Sequence, residues 1–146
     1  MMAKKKSATL DRKVLLLLWS SSFLLNLGFL LYLYLSDNIE LRDLTPSLKT
    51  LSTVYAPYLG AILTFYWGGN REIDESAVKK IKTPFYAAIG FSLVWNLIIL
   101  QFLFPLILLR GNLEDSIEGI ETVSSTFSWL VAGAIGFYFA KVSNEN

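Results

Sequence analysis

The chain has 146 residues, of which 53% are hydrophobic and 14% are aromatic, and its formal net charge is +1. This hydrophobic share exceeds the roughly 45 to 50% that is usual for soluble domains, and the mean hydropathy is +0.47. The small net charge gives no concentrated basic surface for nucleic acid, and the absence of histidine and cysteine excludes the commonest metal ligands, thiol chemistry and disulfides.

Four long stretches contain no charged residue: 14–35, 51–67, 85–109 and 124–140. A helix of that length in water would carry a charged face, whereas a helix that crosses a hydrocarbon core of about 30 Å needs ~20 apolar residues. The sequence therefore predicts an all-α membrane protein with four transmembrane helices. The predicted spans are about 14–35, 46–67, 85–109 and 122–140, and together they form a single four-span membrane domain over residues 1–146.

The starts of the first two spans carry local signals. Five basic residues precede the leucine-rich run 14–35, as in a secretory signal peptide, but the run exceeds the typical hydrophobic region of about 7 to 15 residues and no small-residue cleavage site follows it. An uncleaved first span is expected. Thr45 and Pro46 are typical of an N-cap followed by proline at the first helical position, which predicts that the second helix starts there.

The basic residues that flank the spans divide unevenly between the two sides. Ten lie in the segments 1–13, 68–84 and 141–146, and three lie in the other two loops. Because positive residues favour the cytoplasmic side, the N-tail 1–13 and the C-tail 141–146 are both expected in the cytoplasm, with the protein in the inner membrane of a bacterium. Aromatic residues near the span ends are typical of interfacial anchors, and they are Trp19, Tyr32, Tyr34, Tyr66, Trp67, Tyr86, Trp129 and Tyr138.

The two halves of the chain resemble each other. Small residues recur every four positions in the second and fourth spans, and the two Ser-x-x-x-Asn elements Ser22/Asn26 and Ser92/Asn96 lie 70 residues apart. This pattern predicts an internal repeat, 14–69 and 84–141, forming two tandem helical hairpins related by a pseudo-twofold axis along the membrane normal. The alternative is convergence, because any packed membrane helix favours small residues.

Three sets of residues are candidates for a functional role. Small residues of the two stripes are expected to pack helices closely. Amides and hydroxyls within the spans must find buried partners, either as structural hydrogen bonds between helices or as the lining of a polar pathway. Acidic residues after Asn112, a predicted N-cap, form an outer acidic rim that either attracts cations or only keeps the loop soluble. The helix-packing set is Gly60, Thr64, Ala132 and Gly136; the buried polar set is Asn26, Asn96, Ser22 and Ser92; the outer acidic rim is Glu114, Glu118 and Glu121.

The predicted function follows from what the spans lack. They contain no base, nucleophile or ligand suited to catalysis, and no ionisable residue that a proton-coupled exporter would need, so we expect neither an enzyme, a cofactor nor a bound metal. The leading hypothesis is a small non-enzymatic integral membrane protein that acts as a subunit or scaffold through helix–helix packing. The alternative is a self-associating pore or channel-like membrane effector, holin-like in kind. The expected partners are the lipid bilayer and either further copies of the chain or another membrane protein, with no nucleic acid.

Overall fold

The computed structural model describes the backbone of residues 5–68, 75–108 and 112–144, and the side chains of residues 11–67, 81–106 and 112–144. Apart from the turn at residues 36–40 and Asn112, this part of the chain is helical. It consists of α1 (Lys5–Leu35), α2 (Leu41–Gly68), α3 (Glu75–Leu108) and α4 (Leu113–Asn144). The predicted all-α class is therefore confirmed for these residues.

Three of the helices are long and apolar enough to cross a membrane, over Asp11–Leu35, Ile81–Leu106 and Leu113–Asn144. The second helix is not among them, so the predicted number of four spans is not confirmed. The difference lies in the uncharged stretch 51–67, where Pro57 and several tyrosine, serine and threonine hydroxyls lower the mean hydropathy, and in Lys49 just before it.

The helices extend beyond the uncharged stretches. The predicted start of α2 at Thr45 is wrong, because α2 begins at Leu41 and the Thr45 hydroxyl donates within the helix to the Leu41 carbonyl at 3.1 Å. Charged residues continue a helix where it meets water, so the end of an apolar run does not mark the end of the helix. In α4 the predicted cap is confirmed, because Asn112 Oδ1 accepts a hydrogen bond from the Glu114 backbone N–H at 3.0 Å.

The turn between α1 and α2 closes the first helix in a Schellman arrangement. The N–H of Asn38 donates to the Leu33 carbonyl at 3.0 Å, and the N–H of Asp37 donates to the Tyr34 carbonyl at 3.1 Å. Asp37 has a φ of 55°, in the left-handed region. The short turn brings α2 back against α1.

The four helices pack as a ring in the order α1, α2, α4, α3, since α1 contacts α2 and α3 while α4 contacts α2 and α3. A twofold axis along the membrane normal would place the related pairs, α1 with α3 and α2 with α4, across the axis as diagonals. In this structure those pairs are sides of the ring, and α1/α4 and α2/α3 are the diagonals. The predicted pseudo-twofold axis is therefore not confirmed, and the sequence repeat itself remains a prediction.

Aromatic side chains fill the centre of the ring. Trp19, Tyr55, Trp95 and Tyr138 are fully or almost fully buried, and the Trp19 ring stacks on Tyr58 with 4.4 Å between centroids. Large apolar side chains also cover the outside of the bundle, as expected where lipid replaces water as the solvent. Trp19 and Tyr138 are thus core residues, and their prediction as interfacial anchors is wrong.

Candidate functional site

A polar network lies in the apolar core where α1, α2 and α3 meet. Its centre is the hydroxyl of Tyr55 on α2, which is 2.9 Å from Asn26 Nδ2, 2.9 Å from Asn96 Oδ1 and 3.0 Å from Ser22 Oγ. Asn96 Nδ2 also donates to the Ser92 carbonyl at 2.7 Å. The structure therefore brings all four predicted polar residues into one cluster.

The direction of each hydrogen bond in the network can be assigned. Tyr55 has one hydroxyl hydrogen and donates it to Asn96 Oδ1, which accepts only. Its oxygen accepts from Asn26 Nδ2, so the remaining contact requires the Ser22 hydroxyl to donate to Tyr55. The Tyr55 hydroxyl thus makes three hydrogen bonds, as many as its donor and acceptor capacity allows.

Two further hydrogen bonds, one donated by a tryptophan and one by a tyrosine, join pairs of helices near this network. Trp19 Nε1 donates to Ser92 Oγ at 3.0 Å and links α1 to α3. The Tyr58 hydroxyl donates to the Ser128 carbonyl at 3.0 Å and links α2 to α4. Asn26 and Ser92 are fully buried and Asn96 nearly so. These bonds hold the helices in register within a medium where an unpaired polar group is costly, although Asn26 Oδ1 itself has no hydrogen-bond partner among the described residues.

Sequence reasoning missed Tyr55 and Trp19 as partners of the amides. Both residues are typical of membrane interfaces, but Tyr55 and Tyr58 lie within an uncharged stretch, away from its charged ends. A tyrosine hydroxyl at that depth needs a buried hydrogen-bond partner. This need could have indicated that Tyr55 bonds to the buried amides.

The predicted helix-packing residues lie on two different surfaces. Gly60 and Thr64 are exposed on α2, and a Cβ atom built on Gly60 would have no neighbour within 4 Å among the described residues. Ala132 and Gly136 line a groove between α2 and α4, and a Cβ atom on Gly136 would likewise meet open space. Neither glycine is a close contact between helices of this chain.

A glycine that sequence reasoning did not select makes such a contact. A Cβ atom on Gly119 of α4 would overlap the ring of Phe102 on α3. The missing side chain at Gly119 therefore permits the close approach of α3 and α4. Its signal in the sequence was weak, because Gly119 lies among the charged residues that precede the fourth uncharged stretch.

The predicted acidic rim lies on the first turns of α4, beside the amino end of α2. Glu114 and Glu118 are exposed, and Glu121 accepts a hydrogen bond from Thr50 at 2.6 Å between Oγ1 and Oε1. All three line a cavity of about 660 Å³ together with Asp43. Among the residues that the structure describes, no group of three acidic side chains is close enough to hold a metal ion.

The opposite end of the bundle carries basic residues, and one of them is buried. Arg12 is only 6% exposed, although the sequence predicted it in a cytoplasmic tail. It lies on α1, which already begins at Lys5. The charges of its guanidinium and of the Asp11 carboxylate both interact with the side chain of Tyr138 on α4. The segment before the first span is therefore part of the packed bundle from Asp11 onward.

The chain was compared with known proteins at three levels. No protein family, curated protein or solved structure matches it.

Proposed function

We propose that this chain is a non-enzymatic membrane subunit that crosses the bilayer four times and binds other membrane helices through an exposed face of α2. The face consists of the small residues Ser52, Ala56, Gly60 and Thr64, all of which are exposed. We call it the Gly60 face. The run of four small, exposed residues at four-residue spacing is the observation that carries the proposal.

The reason is the packing of helices in lipid. There, helices associate through close backbone approach and direct contacts, because lipid tails supply no hydrophobic drive between helices. Elsewhere the exposed surface presents large side chains such as Leu17, Leu24 and Leu97. A four-residue repeat of small side chains leaves a shallow strip in that surface, into which one helix of another chain fits.

The position of α2 supports its being the fourth span. It runs antiparallel to α1 after a short turn, contacts α1 and α4 along its length, and has an uncharged stretch over 51–67. At about 1.5 Å per residue the uncharged stretch covers roughly 25 Å, and the residues just before it complete a bilayer core of about 30 Å. The uneven division of basic residues supports cytoplasmic termini in a bacterial inner membrane.

The core network supports a structural role for the buried amides. The Tyr55 hydroxyl has no remaining hydrogen-bonding capacity, and its neighbours are amides and a serine, which are poor acids and bases near neutral pH. A reaction at this point would have to break bonds that hold three helices together. The network therefore fits the role of hydrogen bonds that stabilise helix packing better than the role of a catalytic site.

A pore formed by one copy does not fit the filled interior. The central position between the helices is occupied by Trp19, Tyr55, Trp95 and Tyr138, so conduction would require several copies around a common axis. Nothing in the described surface favours such a ring over a complex with a different membrane protein, and the subunit remains the better proposal.

The test compares two glycine substitutions on exposed helix surfaces. Gly60→Leu fills the Gly60 face, and Gly28→Leu on α1 is the matched control, because a Cβ atom at either site meets open space. Both variants should unfold in detergent like the parent chain. After gentle solubilisation from the membrane in which the chain is made, Gly60→Leu should remove the higher-mass species on a native gel while Gly28→Leu keeps it. A parent chain that runs as a monomer, or equal masses for both variants, would refute the proposal.

A further inference from the structure

A continuous groove runs between α2 and α4 over most of the bundle's length. Three adjoining cavities of about 660, 550 and 490 Å³ form it. The first two share Pro46 and Glu121, and the last two share Thr53 and Ser124. We call it the α2–α4 groove. Each cavity falls within the range of about 300 to 1,000 Å³ that is usual for ligand sites.

The lining of the groove changes from charged to apolar along its length. The first cavity is lined by the carboxylates of Asp43, Glu114, Glu118 and Glu121. The second adds Lys49, a cation, next to Glu121. The third is almost entirely apolar and reaches Phe139. This order is the chemical order of an amphiphile, with a polar head at one end and a hydrocarbon tail at the other.

Two buried donors on the groove wall have no partner among the residues that the structure describes. Trp95 is only 2% exposed, and its Nε1–H has no acceptor there; Ser124 Oγ is also buried without a hydrogen bond. Both residues line the apolar third cavity, and Ser124 also lines the second. Because a buried unpaired donor is costly, rotation of the Ser124 hydroxyl toward an acceptor in the groove would be favourable, whereas Trp95 Nε1 has no surface open to the groove.

The apolar part of the groove is longer than one leaflet is deep. From Ser124 to Phe139 it extends roughly 22 Å along α4, whereas one leaflet contributes about 15 Å of hydrocarbon. Gly136 and Ala132 keep this part open, since a Cβ atom on Gly136 has no neighbour within 4 Å. In a membrane, hydrocarbon chains fill such a space.

We infer that the α2–α4 groove binds one phospholipid whose head group carries a primary amine, of the phosphatidylethanolamine type. The ammonium lies among the carboxylates of the first cavity, where its three N–H groups find acceptors. The phosphate lies beside Lys49, and an ester oxygen accepts from Ser124. An acyl chain follows the apolar part past Gly136. Four carboxylates outnumber Lys49 and Arg42, which lies 3.7 Å from Asp43, and this excess of negative charge favours the lipid over one with an anionic head group.

The inference is independent of the Gly60 face, because Gly60 does not line the groove. It can be tested by fluorescence, since Trp129 lines the groove and is 67% exposed. Trp67, which is exposed elsewhere, is first replaced by phenylalanine to remove its signal. The full chain is then placed in phosphatidylcholine vesicles that contain a small share of a lipid with bromine on its acyl chain, which quenches nearby tryptophan. The brominated lipid is either phosphatidylethanolamine or, in a parallel sample, phosphatidylglycerol.

We expect the ethanolamine lipid to quench at about a fivefold lower mole fraction than the glycerol lipid, as for a partly exposed ion pair. Gly136→Leu should abolish this difference by filling the groove, whereas Gly133→Leu should keep it, because Gly133 lies on α4 outside the groove and also meets open space. The double substitution Glu114→Gln with Glu118→Gln should remove most of the preference. Asp115→Asn, the matched control outside the groove lining, should leave the preference intact.

Three results would overturn the inference. Equal quenching by both brominated lipids would show contact with surrounding lipid only. A preference that survives Gly136→Leu, and also Ala132→Leu should the first variant fail to fold, would place the lipid elsewhere. A disulfide between two copies of a Gly136→Cys variant, formed in the vesicles, would show that a second copy of the chain occupies the groove.

Discussion

The hydroxyl of Tyr55 donates a hydrogen bond of 2.9 Å to Asn96 Oδ1 across the diagonal of the helix ring. No Cα atoms of α2 and α3 approach within 8 Å of each other in the described part of the chain. Long side chains therefore make the contact between two helices whose backbones remain apart. The bond passes through the centre of the bundle, and it depends on the relative depth of α2 and α3 in the membrane.

Removing the Tyr55 hydroxyl should destabilise the bundle. Tyr55→Phe keeps the ring in the core but leaves Asn26, Ser22 and Asn96 without their shared partner. We expect a loss of about 2 kcal/mol in the free energy of unfolding, measured by reversible denaturation with dodecyl sulfate in mixed micelles.

Tyr32→Phe is the matched control for this change, because the Tyr32 side chain is 60% exposed and should contribute less than about 0.5 kcal/mol. The double variant Tyr55→Phe with Asn96→Leu should lose less than the sum of the two single losses, since both disrupt one network. Full additivity would mean that the two side chains do not interact.

Adding one methyl group at Gly119 should separate α3 from α4. In Gly119→Ala the new Cβ atom overlaps the Phe102 ring, and overpacking of this kind costs about 1 to 3 kcal/mol. Gly133→Ala, on the open side of the same helix, should be neutral or stabilise by up to about 1 kcal/mol through helix propensity. Thermal unfolding in detergent measures both, and Phe102→Leu combined with Gly119→Ala should recover part of the loss. A loss of stability of equal size in the two alanine variants would contradict the close contact.

The left-handed residue between α1 and α2 should accept only certain side chains. Asp37→Val places a β-branched residue at a φ of 55° and should lower stability by about 1 to 2 kcal/mol. Asp37→Gly and Asp37→Asn should not, because both residues adopt this conformation readily. Chemical denaturation of the three variants tests the expectation, and a valine variant as stable as the glycine variant would refute the strained turn.

The four-span topology can be tested with single cysteines, because the chain has none of its own. Asn38→Cys and Asn112→Cys should react with a membrane-impermeant maleimide added to intact cells. Asn70→Cys and Asn146→Cys, which lie outside the described residues, should react only after the membrane is opened. If Asn38→Cys and Asn70→Cys were labelled from the same side, α2 would not cross the bilayer.

Local sequence pattern predicted the helices and the buried amides, but not the partners of those amides. Asn26 and Asn96 stand in long apolar runs, so their need for a polar contact could be read directly. The choice of Tyr55 as that contact depends on how far α2 is shifted and rotated against α1 and α3. No residue pattern within one helix encodes that shift.

The small-residue stripes illustrate the same limit. Their four-residue period places Gly60 with Thr64, and Ala132 with Gly136, on one face of each helix. The period does not determine which neighbour that face meets. Helix rotation in the bundle leaves the first pair on the surface and turns the second toward the groove.

The composition of the Tyr55 network also bears on the order in which the protein is assembled during synthesis. All of its donors and acceptors come from α1, α2 and α3, and α4 leaves the ribosome after these three helices. The hydrogen bonds around the Tyr55 hydroxyl can therefore form while α4 is still being translated. When α4 docks, it supplies the acceptors that the rest of α2 needs, the Ser128 carbonyl for the Tyr58 hydroxyl and the Glu121 carboxylate for Thr50.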